Sequence, residues 1–86
     1  MESLGFIEVK GYVPAFAAED AALKAADVKL VKRVAIGAGM VTVVIAGEIG
    51  AVRTAVDAGA NGAKRLGNLI GCFTLARPAE EIKTII

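Results

Sequence analysis

An α/β (α+β) domain with the element order βαββαβ is predicted by three observations. Two runs are dense in small, helix-compatible residues, four short runs are rich in β-branched residues, and glycines sit at the junctions between them. The chain has 86 residues, enough for one domain over 1–86 that buries about 60–65% of the surface its unfolded chain exposes.

From Leu4 to Lys10, the apolar Ile7 and Val9 alternate with Glu8 and Lys10, the period of a half-buried strand, and Gly11 closes it. Pro14 suits the first turn of a helix, where its missing N–H costs nothing. The alanine-rich run to Ala26 sets Phe16 and Leu23 seven residues apart on one face, with Glu19, Asp20 and Lys24 toward the other. Val28 to Ile36 reads as a second strand and Met40 to Ala46 as a third. Gly37-Ala38-Gly39 between them is a tight turn, so the pair is a hairpin. The third strand is apolar on both sides, with Val41, Val43 and Ile45 on one and Met40, Val44 and Ala46 on the other. Both sides therefore need cover.

The segment from Glu48 to Leu66 places Ile49, Val52, Val56, Ala63 and Leu66 on one helical stripe. Glu48 stands at its positive N-terminal end, Lys64 and Arg65 at its negative end, and Gly67 terminates it. Leu69 to Ala76 is a fourth strand, and Pro78 precedes a short C-terminal tail that has room for one helical turn. Two βαβ halves with right-handed crossovers, joined through the hairpin, give a ferredoxin-like fold: a four-stranded antiparallel sheet with two helices on one face. The opposite face is then bare, and Met40, Val44 and their neighbours are expected to need a second subunit.

Composition agrees with assembly. Hydrophobic residues make up 56% of the chain, with 17 alanines, 10 glycines and four aromatics, Phe6, Tyr12, Phe16 and Phe73. That is more apolar surface than a lone domain of this size hides. Ten Lys and Arg against nine Asp and Glu leave no basic field for a nucleic acid. The cationic groups Lys29, Lys32 and Arg33, and Lys64 and Arg65, read as solvated faces. Cys72 is the single cysteine, so no intrachain disulfide forms and a reducing cytoplasm is expected. The acidic start, with Glu2 and Glu8, does not read as a signal peptide. The longest uncharged stretch, Val34 to Gly47, has 14 residues, short of the roughly 20 that span a bilayer, so no membrane partner is expected.

Catalytic chemistry finds no foothold. Gly37-Ala38-Gly39 opens like a dinucleotide fingerprint, but Thr42 holds the third glycine position and a strand follows. No histidine exists to activate Ser3 or Cys72 or to complete a metal site. Glu19, Asp20, Asp27 and Asp57 suit solvation better than paired acid–base work. Ala55, Ala58, Gly59, Ala60 and Gly62 let the second helix approach the sheet or a neighbour closely. No catalytic residue, cofactor or metal is therefore expected.

Four segments, in order, carry a resemblance: Leu4-Gly5-Phe6-Ile7-Glu8, Asp20-Ala21-Ala22-Leu23-Lys24-Ala25-Ala26, Ile36-Gly37-Ala38-Gly39, and Ala76-Arg77-Pro78, with Asp57-Ala58-Gly59-Ala60 on the second helix. Across nearly the whole chain they resemble the single-domain shell proteins of bacterial microcompartments, which form the shells of carboxysomes and metabolosomes. The resemblance implies a non-enzymatic, self-assembling homohexamer, in the cytoplasm as part of a microcompartment shell. It packs edge to edge with neighbouring hexamers and other shell proteins around encapsulated enzymes. It implies further that Ile36, Gly37, Ala38 and Gly39 line a central pore for small polar metabolites, and that Lys24 and Arg77 lie at the edge between hexamers. The chain departs from the common turn sequence: Ala35 replaces a lysine and Ala38 a serine. The competing reading is a small oligomeric metabolite-sensing regulator of ferredoxin-like fold, but such a protein signals through a long loop, and this hairpin turn has three residues.

Overall fold

A computed structural model describes residues 2–76. The expected tail, and Arg77 with it, lie outside the described residues. The elements run β1 (Ser3–Lys10), α1 (Tyr12–Ala25), β2 (Lys29–Gly37), β3 (Met40–Gly47), α2 (Ile49–Lys64) and β4 (Leu69–Leu75), in the predicted order. They make one antiparallel sheet of order β2-β3-β1-β4. Both helices pack on the same side, through a core of Ile7 and Val9 from β1, Val41, Val43 and Ile45 from β3, Ala15, Ala18 and Ala22 from α1, and Val52, Ala55, Val56 and Ala63 from α2. The result is a plate, 33 × 26 × 16 Å.

Local chemistry explains the boundaries. α1 begins at Tyr12, two residues before Pro14, because Gly11 at φ +99° turns the chain sharply out of β1. Pro14 then sits in the first turn, where no backbone donor is missed. α2 begins after Glu48, whose carboxylate accepts the Gly50 and Ala51 N–H groups at 2.9 and 3.3 Å. It ends in a Schellman-type closure: Gly67 N–H donates to the Lys64 carbonyl at 2.9 Å and Asn68 N–H to the Ala63 carbonyl at 3.4 Å, with Gly67 at φ +75°. Leu66, assigned to the apolar stripe from sequence, falls in this closing turn and is exposed.

Two further expectations change. On α1 the buried face is Pro14, Ala15, Ala18 and Ala22, whereas Phe16 and Leu23 point outward. Alanines serve there because α1 lies close over the sheet and against α2, leaving room for methyl groups and little else. The sheet face away from the helices is not bare either. Leu4, Phe6, Val44 and Ala46 form a second buried cluster with Leu75 packed against it, and Val44 is 1% exposed. Phe6 opposes Val44 on one side and Phe73 on the other. The two phenyl rings stack at 4.5 Å and 12° across β1 and β4. Met40 is half-buried. Unsatisfied apolar surface lies instead on α1 at Tyr12, Val13 and Phe16, and on the two outer strands at Val31, Ile36, Ile70 and Phe73.

Candidate functional site

The turn joining β2 to β3 is backbone made accessible. Gly37, Ala38 and Gly39 take φ of +100°, +54° and +78° in succession, which folds the chain back within three residues. Glycine adopts this geometry freely; Ala38 does so at a cost. All three residues are exposed, as is Ile36, and no atom lies within 4 Å of where a β-carbon on Gly37 would stand. The turn is nevertheless tethered. Gly11 N–H donates to the Gly39 carbonyl at 2.7 Å, tying the turn to the start of α1. The four residues expected to act together are therefore contiguous, solvent-facing and held in place. Their segment carries no charge of its own between Val34 and Gly47.

Lys24 stands elsewhere. It lies in the last turn of α1, and its side chain is 76% exposed and pairs with Asp20 one turn back at 2.9 Å. The helix between Gly11 and Lys24 is roughly 20 Å long at 1.5 Å per residue, so turn and lysine occupy opposite ends of α1. Arg77 lies outside the described residues.

Sequence reasoning missed one constellation. Arg33 belongs to β2, where the register shifts between Leu30 and Lys32 and leaves Val31 as an extra residue. Strict alternation from Leu30 would turn Arg33 away from the helices; the bulge brings it back beneath α1. There its guanidinium bonds Glu19 and stands 4.5 Å from the centre of the Phe16 ring, which in turn lies 6.2 Å from Tyr12. A signal existed in the pairing of a helical Glu with a strand Arg, but only the bulge makes them meet.

The Glu48 carboxyl is displaced in its titration: the N–H bonds from Gly50 and Ala51, with the Arg53 charge behind them, hold it below the usual carboxylate range. Its role is to cap α2. No described helix is long and apolar enough to cross a membrane.

Known proteins resemble this chain in sequence and in fold. Residues 3–78 match the family model of the BMC domain. The carboxysome shell protein CsoS1A of Hydrogenovibrio crunogenus is 47% identical over 85 residues, which cover 98% of this chain and 88% of that one. A carboxysome shell protein CsoS1 of Prochlorococcus marinus is 48% identical over 82 residues, 94% of this chain and 80% of its own. Among solved structures, a microcompartment protein from Desulfitobacterium hafniense superposes with a TM-score of 0.85 at 33% identity; the match covers 95% of this chain and 44% of that longer one. A plate-shaped α/β domain with this match along its length is a shell-building domain, and the chain belongs to the BMC-domain family of bacterial microcompartment shell proteins.

Proposed function

We propose that this protein is a structural tile of a bacterial microcompartment shell, a homohexamer that packs edge to edge into a layer and is pierced at its six-fold axis. The observation that carries the reading is the match of residues 3–78 to the BMC domain together with near-full-length similarity to carboxysome shell proteins. The apolar residues left exposed on both outer strands and on α1 are the surface such contacts would cover. In this arrangement Ile36, Gly37, Ala38 and Gly39 from each copy converge on the axis, and their exposed amides meet small polar metabolites passing toward enclosed enzymes. Lys24 lies at the rim, on the far end of α1, and Arg77 joins it in contacts with neighbouring hexamers and other shell proteins. No catalytic step is required of any residue.

Native mass spectrometry and light scattering test the assembly. A six-fold mass that extends into larger sheets with concentration is expected. A monomer persisting at high concentration overturns the reading.

A further inference from the structure

The sheet face away from the helices is drier than its own strands can make it. Leu4, Phe6, Val44 and Ala46 are all buried there. Neighbouring strands lie about 4.8 Å to either side of a side chain and not above it, so a sheet face without a second layer stays partly wet. Thr42, on this face and flanked by Glu8 and Val34, is half-buried in that way. Val44, two residues further along β3 and flanked by Phe6 and Lys32, is 1% exposed. Neither helix is on this side, and Phe73, whose ring stacks on Phe6, is itself 58% exposed. The dry patch also has a definite place: it lies where β4 ends, with Leu75 opposite Leu4 and Leu4 opposite Ala46.

We propose that residues 80–86 of this chain are the cover, lying across Leu4, Phe6, Val44 and Ala46 with Ile82, Ile85 and Ile86 inward. The sequence supplies a matching surface. In Glu80-Glu81-Ile82-Lys83-Thr84-Ile85-Ile86 the isoleucines fall at i, i+3 and i+4, one stripe of a helical turn, with Glu80, Lys83 and Thr84 away from it. Pro78 has no backbone N–H with which to extend the β4 ladder. Val44 stands two strands from β4, about 10 Å, within reach of the residues that follow Ala76. Charge agrees as well, since Lys32, opposite Val44, gives the patch a cationic rim that suits Glu80 and Glu81. A face sealed by the protomer's own chain is closed to other copies, which leaves α1 and the outer strands for contacts between tiles.

The test is the reactivity of a buried thiol toward iodoacetamide. With the exposed Cys72 replaced by serine, Val44→Cys reports on this face, and Val43→Cys, its neighbour in β3 turned toward the helices, reports on the main core. Each is placed in the full chain, in the full chain carrying Ile82→Ser and Ile85→Ser, and in a chain shortened after Ala79, which keeps Arg77. Expected is slow labelling at both positions in the full chain, and a rise of about tenfold or more at position 44 alone in the two altered chains. Where the shortened chain does not fold, the full-length serine variant decides. A Val44→Cys rate within about twofold of the full chain's assigns the cover to a second copy and overturns the inference, and so does an equal rise at both positions, which is general loosening. The readout requires no particular assembly, so a chain that failed to form hexamers would overturn the proposed tile and leave this inference standing.

Discussion

Arg33 and Glu19 join the outermost strand to the first helix at two points, Nε to Oε1 at 2.8 Å and Nη2 to Oε2 at 3.4 Å, beneath the face of Phe16. The two side chains are 30% and 16% exposed, so the pair is less screened than a surface ion pair. A double-mutant cycle with Glu19→Gln and Arg33→Gln, read by chemical denaturation at fixed protomer concentration, is expected to give a coupling of about 1 kcal/mol. Arg33→Lys loses the second contact and most of that coupling. A coupling indistinguishable from zero would mean that β2 is held to α1 by packing alone.

At Gly59, α2 lies close against both β1 and α1. A methyl group there would collide with Ile7 Cδ1 and stand 2.9 Å from the Ala18 carbonyl oxygen. Gly59→Ala should therefore destabilise by about 1–3 kcal/mol despite the better helix propensity of alanine. At Gly62 the nearest atoms are Ala21 Cβ at 3.3 Å and the Ala17 carbonyl oxygen at 3.4 Å. Gly62→Ala should stay within about 1 kcal/mol of the parent, because the helix gain offsets a mild squeeze. Equal effects at the two sites would contradict the packing described.

Glu48 gives the fold a pH dependence of known sign. Its carboxyl titrates below the usual range in the folded chain because Gly50 and Ala51 N–H groups bond the charged form. A depressed carboxyl contributes stability above its unfolded pKa and loses it as pH falls through the folded one. The Tm of Glu48→Gln should accordingly lie below the parent at neutral pH, with the gap closing through the acid range. A gap that does not change with pH would count against the capping charge.

Ala38 is the one described non-glycine residue with positive φ, at +54°. Ala38→Gly should stabilise the protomer by up to about 1 kcal/mol, and Ala38→Val should destabilise it by more, since β-branching aggravates the same strain. Ala38→Ser, which adds a hydroxyl at an exposed turn, should alter passage through an assembled layer while leaving assembly intact. Changed assembly in Ala38→Ser would place the turn in a subunit contact instead.

Lys24 and Arg77 are tested by separating protomer stability from layer formation. Lys24→Ala removes an exposed i,i+4 pair with Asp20 and should change stability by no more than about 0.5 kcal/mol. On the proposed reading, Lys24→Ala and Arg77→Ala should both leave the six-fold assembly intact yet abolish extended sheets or tubes, as checked by electron microscopy. Sheets forming normally in both variants would remove these residues from the edge.

The periods and punctuation of the sequence were enough for the element order. The Ile7/Val9 alternation, the β-branched run after Gly39 and the Gly67 stop each stand where the pattern put them. Faces were harder to read than elements. On α1 the large residues Phe16 and Leu23 suggested the core side, but closeness to the sheet selects for small side chains, and alanines carry no such signal in a hydropathy pattern. Val44 reads from sequence as needing a partner because the cluster that buries it, with Leu4, Phe6, Ala46 and Leu75, joins strands far apart in the chain. The turn was legible because it is local. Arg33 is exposed, as a solvated cation is, but its pairing with Glu19 is not legible in the sequence because a bulge has no hydrophobic period.

The alanine face of α1 has a material consequence. With methyl groups instead of larger side chains between helix and sheet, the plate is only 16 Å through its short axis while extending 33 by 26 Å. For a wall, thickness is wasted polypeptide: each residue saved from depth becomes area enclosed. A cell sealing a large volume with many copies of one short chain gains from every ångström by which the two layers are drawn together, and Gly59 and its alanine neighbours are where that thinness is encoded.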